Sequence, residues 1–193
     1  GIMVGTVVNA FSELYDVVFL EKSFLLTSEK AAAISSMIFI GIAVGGPLHG
    51  LIARGLNSLK RWMLCANLAT LICFSIIVFS SQLHLPYSAI YVLYFLTGFF
   101  VSSMLLSFSM VRERYHQKLH AVVFAIINMT IGICGFIFQY ALGELLHYLG
   151  QHAINSAPQT PFIHAFWFLL IPLIVSFFLC CYLRQDNDAT TSL

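Results

Sequence analysis

The sequence predicts an all-α polytopic membrane protein with six transmembrane helices, and three observations predict it. Hydrophobic residues make up 60% of the 193-residue chain and charged residues only 9%, against roughly 25% charge in an average soluble domain. Mean hydropathy is +0.91. The apolar residues gather into six runs of about the length that crosses a roughly 30 Å hydrocarbon core, and short links between them hold most of the charge. The net charge of +1 comes with no Lys/Arg block, so nothing points to nucleic acid as a partner.

The first run spans about residues 1–20 and stops at Glu21 and Lys22. A polar turn, with Thr27 or Ser28 as N-cap, leads into the second at 31–53. The basic link Arg54 to Arg61 precedes the third, 62–81, and the turn Gln82 to Pro86 sets proline at the start of the fourth, 87–111. The charged link Arg112 to His120 separates it from the fifth, 121–148. A longer loop, 150–161, precedes the sixth, 162–183, and residues 184–193 read as a polar tail beyond a single six-helix domain, 1–183. Helix sequence is already under way at Gly1 with no initiator methionine, so the chain is expected to be a fragment.

Lysine and arginine set the orientation. Arg54, Lys60, Arg61, Arg112, Arg114, Lys118 and Arg184 lie on one side and only Lys22 and Lys30 on the other, which places both basic links and the C-terminus in the cytoplasm. Five cysteines fall in apolar runs without the paired spacing of a zinc site, and His84, His116, His147 and His164 form no ligand cluster by spacing. No metal or cofactor is expected.

Asn9, Glu13 and Asp16 stand at i, i+4 and i+7, one face of an α-helix, and Thr6 extends the stripe by a turn. A carboxylate at the bilayer centre costs roughly 2.5 to 3.5 kcal/mol, so such a face is expected to look into a bundle or a wet cavity. Glu13 lies about 12 Å below the helix end at Glu21, near the midplane, with Asp16 a turn shallower. Burial and a like charge three residues away both oppose double ionisation, so one of the pair is expected to hold a proton, as a proton-coupled carrier requires. The other reading is that the pair faces a solvated vestibule or meets a cation elsewhere.

Other helices carry inward stripes too. Gly41, Gly45, Gly46 and Gly50 give the second helix overlapping small-xxx-small patterns, which let a neighbouring backbone approach closely. The fourth carries Tyr94, Gly98, Ser102 and Ser109, and the fifth Asn128, Gly132, Gly135 and Gln139. The third and sixth are aliphatic and aromatic all round and are expected to face lipid. Asn9, Glu13, Tyr94, Asn128 and Gln139 are therefore the candidate solute-binding residues. Interhelical hydrogen bonding for Asn128 and Gln139, and packing for Tyr94, stay open. His49 reads as a proton relay or as a packing and gate-lining group.

This pattern resembles the carboxy-terminal six-helix half of a major facilitator superfamily (MFS) transporter, and particular residues carry the resemblance. The link from Gly50 through Arg54 and Gly55 to Lys60 and Arg61 sits where the family has Gly, three residues, Asp, then Arg/Lys near Gly. Arg54 occupies the slot of that Asp, so the relay attributed to the Asp is not carried over. Ser12-Glu13-Leu14-Tyr15 is similar to a Glu-Leu-Trp element in the seventh helix of bacterial metabolite carriers, and Gly41 to Pro47 to the eighth. Gly98 through Glu113 is similar to the tenth, and Asn128, Gly135 and Gln139 to the eleventh.

The resemblance implies a twelve-helix carrier built of two halves with its solute site at the midplane between them. This chain would supply the second half, with an N-terminal six-helix half as partner. It further implies proton-coupled transport of a small polar metabolite by alternating access, gating at Gly50, Arg54, Lys60 and Arg61, and a bacterial inner membrane. Enzyme readings find no support. Gly-x-Ser-Gly, a helical His-Glu-x-x-His and a phosphate-binding glycine loop with its lysine are all absent from the sequence. The alternative is a non-transporting six-helix module that serves as an assembly or receptor subunit.

Overall fold

The computed structural model describes residues 1–55, 58–83, 85–152 and 160–182. Leu183, His84, Leu56, residues 153–159 of the expected long loop and the expected tail 184–193 lie outside the described residues. All regular structure among the described residues is helical: α1 (Ile2–Val4) runs into a π-helical segment (Gly5–Ser12), and α2 (Asp16–Phe24) follows a short break. Then come α3 (Ser28–Gly55), α4 (Leu59–Phe79), α5 (Tyr87–Val101), a 3-10 turn (Ser102–Met104), α6 (Leu105–Arg114), α7 (His120–His152) and α8 (Thr160–Tyr182). Five helices are long and apolar enough to cross a membrane, counting α5 to α6 as one, and the bent pair Ile2–Ser12 and Asp16–Phe24 makes a sixth span.

Local chemistry sets the ends. Ser58 is in extended backbone and its Oγ accepts the Arg61 N–H at 3.2 Å, which caps α4 three residues earlier than the sequence pattern places it. Lys60 and Arg61 consequently belong to the first turn of α4 and not to a link. Pro86 precedes α5, where its missing N–H costs no helical bond. Leu25 ends α2 in the left-handed region (φ 53°) with its side chain 91% exposed. That conformation costs a non-glycine residue about 1 to 2 kcal/mol.

Two kinds of packing hold the bundle. Between α3 and α5 the backbones touch: a Cβ on Gly98 would run into the Ile38 carbonyl oxygen and lie 2.7 Å from its carbon, and one on Gly41 would lie 2.7 Å from the Phe99 nitrogen. Elsewhere aromatic rings fill the interior. Phe11 meets Phe74 of α4 and Phe166 of α8 edge-on at 5.0 and 5.1 Å, and Phe19 meets Phe166 at 5.1 Å. Such pairs contribute about 0.5 to 1.5 kcal/mol beyond their buried area.

These contacts correct the expectation that the third and sixth helices simply face lipid. α4 and α8 each send large side chains into the core, Phe74 and Ile77 from one and Phe166 and Leu169 from the other, all fully buried. Their uniformly apolar sequences hide the division because a core face and a lipid face are equally hydrophobic. The least buried span is α7, whose Ile126, Met129, Ile133, Phe136 and Tyr140 are all exposed.

Candidate functional site

The break after Ser12 decides the geometry of the site. Through Gly5–Ser12 the backbone is π-helical, and the Glu13 N–H reaches back to the Val8 carbonyl at 3.0 Å, five residues away. Such turns hold more residues than α turns and concentrate at functional sites. Residues 13–15 then leave the helix, and α2 departs at 55° to the segment before it. The stripe expected from α-helical spacing therefore does not form. Asn9 is half-buried, Glu13 is exposed, and Asp16 is 1% exposed.

Asp16 is the buried member. The Ser12 hydroxyl donates to its Oδ2 at 3.4 Å, and Ser35 of α3 lies beside it. Its Oδ1 has no hydrogen-bond partner, and no cation among the described residues acts on it. Burying an unpaired carboxylate costs several kcal/mol, which favours the neutral acid. Its place at the first residue of α2 has the opposite effect, because unsatisfied N–H groups and the helix dipole favour negative charge there. Burial and the helix N-terminus therefore act on its charge in opposite directions.

Tyr94 is buried near this carboxyl and does not lie on an open face. It is fully buried, its ring centroid is 6.1 Å from that of Phe11, and its hydroxyl has no partner. The charge of Asp16 acts on it. The Tyr94 hydroxyl and Asp16 Oδ1 are thus both buried without a hydrogen-bond partner.

The open face lies between the π segment and α7. Gly5 and Gly135 let the backbones meet, since a Cβ on Gly5 would lie 2.8 Å from the Gly135 nitrogen and one on Gly135 would lie 2.8 Å from Asn9 Cβ. Gln139 Nε2 donates to the Asn9 carbonyl at 2.7 Å, and the Tyr15 hydroxyl donates to the Gln139 carbonyl at 3.5 Å. Gln139 therefore serves as interhelical glue in this state, the plainer of its two expected roles. Asn128 is exposed on the same side of α7, about 16 Å along the axis. Gly132 between them has nothing within 4 Å of its Cβ position.

His49 is fully buried, and both ring nitrogens are engaged. Nδ1 accepts the Trp62 indole N–H at 2.7 Å and Nε2 donates to the Phe99 carbonyl at 2.6 Å, which selects one neutral tautomer and ties α3, α4 and α5 together. The Ser102 hydroxyl donates to the same carbonyl at 2.7 Å, beside the 3-10 turn. His49 lies near the end of α3 and Trp62 in the first turn of α4, either side of one short link, a placement that suggests partners across a helical hairpin. Among the residues expected to gate, Gly50 lies inside α3 with open space at its Cβ position, Arg54 is exposed at the end of α3, and Arg61 is exposed on α4.

Sequence reasoning missed Ser12 and Ser35 as partners of Asp16: Ser12 stands four residues before it, a spacing that was the available signal, and Ser35 comes from another helix with no such signal. It also missed the bond from Asn67 Nδ2 of α4 to Ser176 Oγ of α8, at 2.8 Å. A polar residue on each of two otherwise apolar helices was the available signal.

A comparison with curated proteins finds no match. The family model described as Major Facilitator Superfamily matches residues 1–192. With all but one residue inside that match and apolar helices throughout, the chain belongs to the Major Facilitator Superfamily, a family of membrane secondary transporters and not of enzymes.

Proposed function

We propose that the chain forms the carboxy-terminal half of a proton-coupled carrier for a small polar metabolite, with Asp16 as the proton-bearing group. The observation that carries this reading is the buried, cation-free carboxyl of Asp16 at a broken helix, with Oδ1 unpaired. Glu13 faces outward three residues away and is assigned to the solute path with Asn9, Gln139 and Asn128. Tyr94 moves in this reading from solute binding to the surroundings of Asp16; its buried position and unpaired hydroxyl support the reassignment.

The second half of the carrier would cover the exposed side of α7, whose Asn128 and Gly132 suit a wet cavity and whose apolar neighbours suit helix packing. Protonation of Asp16 removes the cost of its burial, so the proton favours the state in which the break is closed around it. A state that opens the break to water favours the anion. Coupling follows because solute and proton each bind the two states differently, and the effect is reciprocal. Gly50, Arg54, Lys60 and Arg61 would act at the cytoplasmic end, in a bacterial inner membrane with the C-terminus inside. The alternative, a non-transporting module, has no observation in its favour beyond the exposed α7 face.

The test uses the full-length protein in proteoliposomes with a panel of small carboxylates, sugars and amino acids. A solute that moves protons should be found, and Asp16→Asn should abolish its pH-driven accumulation while counterflow exchange persists. Undiminished accumulation in Asp16→Asn would remove Asp16 from the coupling role.

A further inference from the structure

The glycine seam between α3 and α5 fixes a register that leads outward to a cavity. Gly41 of α3 lies against Phe95 and Phe99 of α5, and Gly45 against Phe99 and Ser102, so residue numbers rise together along the two helices. About two turns nearer their beginnings the small residues give way to large ones. Lys30 and Ile34 stand at i and i+4 on α3, and Tyr87 and Tyr91 are spaced likewise on α5. The register sets Lys30 level with Tyr87 and Ile34 level with Tyr91. There a cavity of about 370 Å³ opens, walled by these four residues and by Leu25, Leu26 and Thr27 of the link from α2.

Every polar side chain of this wall can donate. Lys30 offers three N–H and no lone pair, and the Tyr87, Tyr91 and Thr27 hydroxyls offer one O–H each. Lys30 is exposed and pairs with no carboxylate among the described residues. No carboxylate lines the cavity, since Glu29, next to Lys30 in the chain, is outside its wall. One positive charge without a negative one favours an anion over a ligand whose own ammonium would meet Lys30.

The rest of the wall is apolar. Buried Ile34 marks its inner end, and Leu25, left-handed in its backbone and 91% exposed, stands at its rim. The Tyr87 ring rests on Phe24 at 6.4 Å. Two spans start here, Ser28–Gly55 and Tyr87–Glu113, so the cavity lies at the depth of lipid headgroups, where tyrosine and lysine suit both the apolar and the wet side. A free inorganic anion would leave Leu25, Leu26 and the tyrosine rings uncovered. The volume takes a headgroup but not the chains of a lipid, which would run out past Leu25.

We propose that this cavity holds the headgroup of an anionic phospholipid, with its phosphodiester against the Lys30 ammonium, the tyrosine and threonine hydroxyls as further donors, and a chain over Leu25 and Leu26. The site is independent of the carrier reading. A lipid there ties the α2–α3 link to the start of α5.

The experiment uses the full-length protein in phosphatidylcholine nanodiscs that contain a trace of a photoreactive lipid, either a phosphatidylglycerol or a phosphatidylcholine with the same diazirine-bearing chain. Labelled peptides are mapped by mass spectrometry, with exposed Trp167 and Ile171 of α8 as the internal reference. Relative to that reference, phosphatidylglycerol should label residues 25–34 and 87–91 about fivefold more than phosphatidylcholine does, the scale of one lysine at an anionic membrane surface. Excess unlabelled phosphatidylglycerol should suppress this labelling. Lys30→Gln should bring phosphatidylglycerol down to the level of phosphatidylcholine, and Lys30→Arg should keep most of the preference. A preference that survives Lys30→Gln would overturn the proposal. Equal or stronger labelling by phosphatidylcholine in the unmodified protein, or suppression by inorganic phosphate as complete as by the lipid, would overturn it without reliance on any variant's folding.

Discussion

Glycines close two helix pairs in this molecule, with different results. Between α3 and α5, Gly41 and Gly98 meet backbone directly, and the seam is continued by Gly45 against Phe99 and Ser102. Thr97, Ser35 and Ser102 along it are buried. Between the π segment and α7, Gly5 and Gly135 also bring the elements close, though less tightly, yet the seam holds the Asn9 and Gln139 amides and opens beside exposed Glu13 and Asn128. Two regular α-helices make a dry, static seam from small residues. When one partner is π-helical, its carbonyls and side chains fall out of α register, and a polar seam next to a helix break results. In the proposed carrier, the first pair supplies structure and borders Asp16 through Ser35 and Tyr94, and the second supplies the solute path.

The largest expected effect lies in the dry seam. Gly98→Val forces a branched side chain into the Ile38 carbonyl and should prevent folding. Gly98→Ala gains about 1 kcal/mol of helix propensity but loses more to the same overlap, with overpacking at about 1 to 3 kcal/mol. On the open side, Gly132→Ala meets nothing and should leave the melting temperature of the purified full-length protein unchanged or slightly raised. Equal losses at Gly98 and Gly132 would break the comparison.

Next in size is the His49 tie. His49→Ala leaves the Trp62 indole N–H and one bond to the Phe99 carbonyl unmade, at about 1 to 3 kcal/mol, and should lower the melting temperature and shift Trp62 fluorescence. A third comparison concerns water. In a background with the native cysteines replaced by alanine, Glu13→Cys, Asn128→Cys and Gly132→Cys should react with a membrane-impermeant maleimide. Ser35→Cys and Thr97→Cys should stay unreactive, and the reverse pattern would exchange the roles of the two seams. The smallest effect belongs to Gln139→Ala, which removes one interhelical hydrogen bond of about 0.6 kcal/mol and at most about 1.7, measured as the same melting shift.

Most of the fold was legible in the sequence because membrane spans announce themselves by length and hydropathy, and the glycines of the second helix announced a close neighbour. Gly41 and Gly45 met that expectation, whereas Gly50 faces open space. The site was less legible. An α-helical period grouped Glu13 with Asp16, and no propensity in Gly5–Ser12 marks the π turns that separate them. Tyr94 read equally as a cavity phenol or a packing residue, because one sequence does not distinguish an inward face that lines a path from one that fills the core. The uniform apolarity of α4 and α8 concealed Phe74 and Phe166 as core residues for the same reason.

The central claim is that Asp16, and not Glu13, carries the proton, and infrared difference spectroscopy of the full-length protein in lipid tests it without knowledge of the solute. As the pH is lowered, the difference spectrum should gain the carbonyl stretch of a protonated carboxylic acid that exchanges slowly with heavy water. That band should vanish in Asp16→Asn and survive in Glu13→Gln. A band that survives in Asp16→Asn, or no such band at any pH at which the protein stays folded, would contradict the account.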